Sequence, residues 1–309
     1  MAAHSSTQAA TIAIVGAGRV GRAMGRKLRQ AGWYVTSVVT RSEATARRAV
    51  RHIGAGRPYG KLTRSVLDAG TVLFAVPDDA IAEVAQQLAR MGGEEWRGKV
   101  VLHTSGALDN RVLAPLERAG ASTGSLHPLQ SFSSRVTPPL EGVYMVMEGM
   151  PRAIRVARRI ARDLGGIPLR LYGGDKQAYH AAGVFSAAHV LTLVETATRI
   201  LARVGFSRRQ ASAALLQLSR QVLSNFERIG PSAAWTGPAA RGDVGTVAGH
   251  VEALKDFPQE YGDAYAALHR LGAFVLARRP EALLAKLEPA LRLNVKKPAA
   301  RRTGLRAVS

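Results

Sequence analysis

The chain has 309 residues, enough for one large or two ordinary domains, and no cysteine, which excludes disulfides, thiolate metal sites and a cysteine nucleophile. Lys and Arg outnumber Asp and Glu 43 to 22, but the arginines are scattered over helix-like stretches such as "RAIRVARRIARDL", without the aromatic interleaving that binds single strands. The charge therefore reads as attraction for anionic cofactors and a small anionic substrate rather than for nucleic acid; with no signal-peptide pattern in "MAAHSSTQAA" and no apolar run approaching the ~18–20 residues of a membrane helix, the expectation is a cytoplasmic protein with no membrane partner.

In chain order, "TIAIV" (11–15) is a short apolar, β-branched run that predicts a strand. It leads into "GAGRVG" and then the helical "RAMGRKLRQAG". Gly16, Gly18 and Gly21 thus form G-x-G-x-x-G between a strand and a helix, the context in which the motif points to a dinucleotide pyrophosphate held by Gly16, Ala17, Gly18, Arg19, Val20 and Gly21. "YVTSVV" (34–39) predicts the second strand. An acid after it would hold a ribose 2′-hydroxyl; here stand Thr40, Arg41 and Ser42, which suit a 2′-phosphate, so the expected cofactor is NADP(H). Glu43 reads as an early helix residue. "TVLFAVP" and "KVVLHTS" predict buried parallel strands whose carboxyl ends would bring Val76, Pro77 and Thr104 to the cofactor, with Asp78 read as a helix cap. Shorter candidate strands follow at "STGSLH", "GVYMVME" and "IPLRLYG".

After Tyr172 the pattern becomes helical throughout. One proline-free stretch runs from Asp175 to Val204 and another from about Arg208 to Arg228; a Gly/Pro-rich loop, "GPSAAWTGPAARGDVG", and three more helical segments follow. The expected organisation is an α/β Rossmann domain over 9–172, an all-α C-terminal domain over 173–294 and a basic disordered tail over 295–309.

Four groups could carry chemistry: His103, Thr104, Ser105 and Gly106; His127 in "SLHPLQSF"; Lys176 with His180 at i and i+4; and Arg241, Asp243 and His250. A carbonyl or imine reductase needs a proton donor, which Lys176 or His127 could supply, and a cation for a substrate carboxylate, which Arg241 could supply. Bland readings stand beside these. Ser105 closes a turn, Lys176 is a solvated helix start, Arg241 and Asp243 form a structural ion pair, His103 and His189 are core histidines, and His250 packs on a helix face. No histidine or carboxylate cluster suggests a metal.

"HTSGAL", "GSLHPLQSF", "KQAYHAAGVF" and "TGPAARGDVGTVAGH", in this order, resemble a subfamily of the 6-phosphogluconate-dehydrogenase-like superfamily. Its members are Rossmann-like proteins with a C-terminal domain of formerly unknown function, some assigned as ketopantoate reductases. Similarity to prephenate dehydrogenases implies a catalytic His127 and a substrate-contacting Ser105. Similarity to ketopantoate and β-hydroxyacid dehydrogenases, which carry K-x-x-x-N at the start of the long helix, implies Lys176 as the acid, with His180 at the asparagine position. The resemblance implies a homodimer and an NADPH-dependent reductase of a small 2-keto carboxylate, with ketopantoate the leading candidate. Ser105 and His180 would align the oxygen, and Arg241 with Asp243 would belong to the substrate site. Two alternatives stand beside it: an imine reductase like pyrroline-5-carboxylate reductase, and a non-catalytic NADP-binding regulatory protein.

Overall fold

The computed structural model describes residues 10–133, 138–172 and 175–292; the expected tail at 295–309 lies outside the described residues. Strand β1 (Thr11–Val15) alternates its side chains between two cores. Ile12 and Ile14 pack with Met24, Leu28 and Ile53, whereas Ala13 and Val15 pack with Phe74, Ile81 and Leu88. A strand with both faces covered must be apolar on both, which explains its unbroken apolar run.

Around β1 the chain builds α1 (Arg19–Gln30), β2 (Tyr34–Val39), α2 (Glu43–Ile53), β3 (Arg57–Tyr59), β4 (Thr71–Phe74), α3 (Asp78–Gly92), β5 (Val100–His103), α4 (Ala114–Arg118) and β6 (Ser122–Pro128). Then come β7 (Tyr144–Gly149), α5 (Pro151–Asp163) and β8 (Ile167–Arg170). The eight strands form one sheet in the order β3-β2-β1-β4-β5-β6-β7-β8. The first six are parallel, in doubly wound order, so the carboxyl ends of β1, β4, β5 and β6 open on one edge. β7 runs antiparallel to β6, and β8 parallel to β7. β3 is the strand that sequence reading missed. It has three residues, none of them buried, at the edge of the sheet, so it carries no apolar pattern.

Every described element after β8 is helical: α6 (Lys176–Val184), a π-helical turn (Phe185–His189), α7 (Val190–Arg203), α8 (Arg208–Ile229), α9 (Pro231–Ala234), α10 (Pro238–Arg241), α11 (Val244–Leu254), α12 (Gln259–Leu276) and α13 (Pro280–Leu291). Three expectations need correction. The Gly/Pro-rich loop contains the short helices α9 and α10, each begun by a proline in its first turn, where the missing N–H costs nothing. The helical run Lys176–Arg203 is long and apolar enough by length and composition to cross a membrane, with a mean hydropathy of 1.3 over its most apolar window. His189 is exposed against Phe185 rather than part of a core.

The chain divides into two compact units, Met1–His189 and Val190–Ser309. The second has a small core of Ala239, Val247, Val251, Ala266, Leu287 and Leu291. Much of its larger apolar surface is exposed, including Leu191, Phe206, Leu218, Leu223, Phe226, Phe274 and Val275.

Candidate active site

The glycine loop follows β1 directly. Gly16 has φ +89°, a left-handed conformation, and a Cβ there would meet the Ala75 and Val76 backbone at 2.6 Å. A Cβ on Gly21 would lie 2.2 Å from the Gly16 carbonyl oxygen, so glycine lets α1 start hard against the loop. Gly18 differs: nothing lies within 4 Å of its Cβ position. It is the N-cap of α1 and supplies no side chain, and the first turn holds no acid. The unpaired N–H groups of the first turn are therefore free for an anion, and the loop fits a dinucleotide pyrophosphate. Ala17 is buried and Val20 packs on the core, so these two shape the loop, while Arg19 is exposed beside it.

At the end of β2, Thr40 donates its hydroxyl to the Ser42 carbonyl, and Ser42 caps α2 by accepting from Thr45 N–H and donating to the Thr45 hydroxyl. The Ser42 hydroxyl is thus engaged within the protein, against its expected place on a phosphate. Arg41 is exposed and has no hydrogen-bond or ion-pair partner among the described residues. Val76 packs on the sheet, and Pro77 precedes α3. Thr104 extends β5 by donating its N–H to the Phe74 carbonyl.

Ser105 follows. Its hydroxyl donates to Asp78 Oδ2 at 2.7 Å and accepts from Ala107 N–H (3.1 Å) and Leu108 N–H (3.0 Å). One donor and two lone pairs are the whole capacity of a hydroxyl. Ser105 therefore closes a turn and has nothing left to align a substrate oxygen, which corrects that expectation. Asp78 is the first residue of α3 and receives this bond instead of capping the helix. His103, fully buried, fixes the same turn. Its Nδ1 accepts from Ser105 N–H, leaving Nε2–H to face the Asp109 carbonyl at 3.3 Å. Burial first, then the Lys176 charge, push it down to about 4, so the ring is neutral.

Lys176 begins α6, which Asp175 caps by accepting from Gln177 and Ala178 N–H. It is no solvated helix start: only 4% of the residue is exposed. Nζ donates to the Ser105 carbonyl and to Ser125 Oγ, both at 3.1 Å, leaving one of its three N–H bonds for a ligand. Burial lowers its pKa, opposed by Glu148, Asp78 and Asp109. Ser125 in turn donates to Glu148 Oε1 at 2.9 Å. Burial raises the Glu148 pKa.

His127 lies near the end of β6, and its Nδ1 is 2.7 Å from the Tyr179 hydroxyl. Burial, then Lys176 and His180, push His127 down to about 4; burial pushes Tyr179 up to about 12. His127 and His180 converge over Gly106, where a Cβ would lie 2.8 Å from His127 Nε2 and 2.7 Å from His180 Cδ2. The first unit thus brings Ser105, His127, Lys176 and His180 together. It adds Asp78, Ser125, Glu148 and Tyr179, to which sequence reading gave no catalytic role.

Arg241 and Asp243 belong to the second unit. Asp243 caps α11, accepting from Thr246 N–H and its hydroxyl, and Arg241 ends α10. Among the described residues the two form no ion pair within bonding distance, so the structural pair is not made. His250 is exposed and contacts the Tyr265 hydroxyl through Nδ1 at 2.7 Å.

Comparison with known proteins agrees with this architecture. Residues 3–128 match the family model described as a Rossmann-like domain, and residues 143–271 the one described as a domain of unknown function, DUF2520. No curated protein matches the chain. Among solved structures, the Bacteroides fragilis protein BF3122 is similar with a TM-score of 0.68 and 22% identity, over 85% of this chain and 97% of that one. A reductive aminase from Aspergillus terreus, solved with NADPH and ethyl levulinate, gives 0.63 and 15% over 90% and 99%. An imine reductase from Streptomyces aurantiacus gives 0.59 and 17% over 89% and 98%. The fold is a Rossmann-like α/β domain followed by a helical C-terminal domain.

Proposed function

We propose that the chain is an NADPH-dependent reductase of a small carboxylate-bearing carbonyl compound, with ketopantoate the first candidate. The observation that carries this reading is the buried Lys176 ammonium, with one N–H unspent, in the same unit as a glycine loop that is open only at Gly18. NADPH, when bound, supplies the hydride. Gly18 and the α1 N-terminus would hold its pyrophosphate, and Arg41 its 2′-phosphate.

The chain's residues do the remaining work. His127 is neutral at pH 7 because its pKa lies near 4, so it is no acid there. Lys176, whose pKa burial lowers, is the proton donor in this reading, and general acids of this kind contribute roughly 10²- to 10⁴-fold to a rate. With Tyr179 donating to Nδ1, His127 presents Nε2–H above Gly106, and it and His180 orient the substrate oxygen.

A second reading, reduction of a cyclic imine, is favoured by the names of the reductive aminase and imine reductase that share the fold. The test is NADPH oxidation with ketopantoate and with a panel of cyclic imino acids. Turnover of ketopantoate supports the first reading and turnover of an imine alone the second; no turnover with either, with NADPH bound, would leave the non-catalytic alternative.

The exposed apolar faces of α7, α8 and α12 are proposed to be covered by a second copy of the chain. Glu195 on α7 accepts from Arg199 and Arg208, both at 2.8 Å. An ion-paired acid amid the apolar run suits a protein partner better than hydrocarbon, where a charge at the centre of a helix costs about 2.5–3.5 kcal/mol or more.

A further inference from the structure

Lys176 is linked to two carboxylates, and the links differ. Toward Asp78 the link passes through the Ser105 carbonyl, a backbone oxygen that can accept but never hand on a proton. Toward Glu148 it passes through the Ser125 hydroxyl, which accepts from Nζ at 3.1 Å and donates to Oε1 at 2.9 Å. The register of β6 and β7 places Ser125 and Glu148 directly opposite each other. Glu148 also lines a cavity of roughly 370 Å³ open to solvent, with Asn110, Gly149, Met150, Arg170 and Tyr172 among its other walls. None of its lining residues belongs to the glycine loop or to the His127–His180 cluster.

We infer that Glu148, acting through Ser125, resupplies Lys176 with protons from this cavity. The inference rests on the reading of Lys176 as the proton donor. Once Lys176 has given a proton to the substrate, its neutral amine takes one from the Ser125 hydroxyl, Ser125 takes the carboxylic proton of Glu148, and the Glu148 carboxylate takes one from water in the cavity. Each N–H or O–H bond formed is matched by one broken, and no electron moves. Burial raises the Glu148 pKa, which increases the share of carboxylic acid available to donate. Lys176 is thereby recharged without opening the site to water on the substrate side. Glu148 and Ser125 are positioning and relay residues and do not touch the reacting atoms.

Two measurements test this. In cofactor-free, 15N-lysine-labelled protein, exchange of the Lys176 Nζ protons with water is expected to slow about tenfold in Ser125→Ala and in Glu148→Gln, and not in Asp78→Asn, which removes the other nearby charge without interrupting the hydroxyl link. In turnover, both relay variants are expected to lose less in the first turnover, which draws on the proton already on Lys176, than in the steady state. Their steady-state kcat falls about tenfold and a solvent deuterium effect on kcat appears. Unchanged exchange, or a first turnover slowed as much as the steady state, overturns the relay and leaves the reductase reading intact. A wild-type protein that reduces no member of the carbonyl and imine panel overturns both.

Discussion

In Met1–His189, four polar groups around the candidate site lie buried and hydrogen-bonded: His103, Ser105, Ser125 and Lys176 are at most 5% exposed. In Val190–Ser309, large apolar side chains lie on the surface instead; Leu191, Leu223, Phe226 and Phe274 are each more than half exposed around a core of six residues. Desolvating a polar group is costly unless its bonds are rebuilt, so the first arrangement is maintained for what the groups do. Exposed apolar area is costly unless something covers it, which the proposed second copy would do for the second. In the reading proposed above, chemistry falls to the first unit and association to the second.

The largest effect is expected from removing the charge at the heart of the first unit. Lys176→Met should lower kcat by about 10²- to 10⁴-fold while the melting temperature holds or rises, because a buried ammonium without a direct carboxylate partner is costly to fold. A variant that turns over normally would break the assignment. Second is pH. An unfolded histidine takes up its proton near pH 6.5, whereas folded His103 and His127 do so only near pH 4. Between these values the unfolded chain binds more protons, so stability is complete above about pH 6.5 and falls as pH drops toward 4, by about 3 kcal/mol for a single such group. Thermal melting across this window should show the fall; a flat profile would mean the imidazoles are not held neutral.

For the second unit, Phe226→Glu on α8 should shift light-scattering mass from two chains to one and raise the dissociation constant at least about tenfold. A monomeric wild type would remove the second-copy reading. Gly106→Ala should lower kcat about tenfold without unfolding, because a Cβ would displace both His127 and His180. Smallest is Arg41→Ala: KM for NADPH should rise about tenfold, the worth of one exposed charge-assisted contact, with KM for NADH unchanged.

What sequence could reveal divides along the same physical lines. The alternating strands and helices were readable because a two-sided buried sheet demands apolar runs and the loop demands glycine at Gly16 and Gly21. Lys176, His127 and His180 were readable as candidates through "KQAYHAAGVF" and "GSLHPLQSF" and the resemblance those motifs carry. Ser125 and Glu148 were not: they are 23 positions apart and meet only through the antiparallel register of β6 and β7. The hydrogen bonds that tie Ser105 into its turn involve Asp78, 27 positions away, which residue type alone does not reveal. The π-helical turn at Phe185–His189 left no trace because none of its residues is buried, so it carries no apolar pattern to interrupt.

Arg41 stands apart from all of this. Ser42 beside it is committed to capping α2 and Thr40 to the Ser42 carbonyl, but nothing in the described fold leans on the guanidinium. Its loss would leave the scaffold undisturbed, so the residue is open to drift. If Arg41 holds the 2′-phosphate as proposed, a lineage could exchange the reducing pool it draws on, biosynthetic for catabolic, by changing a single surface side chain.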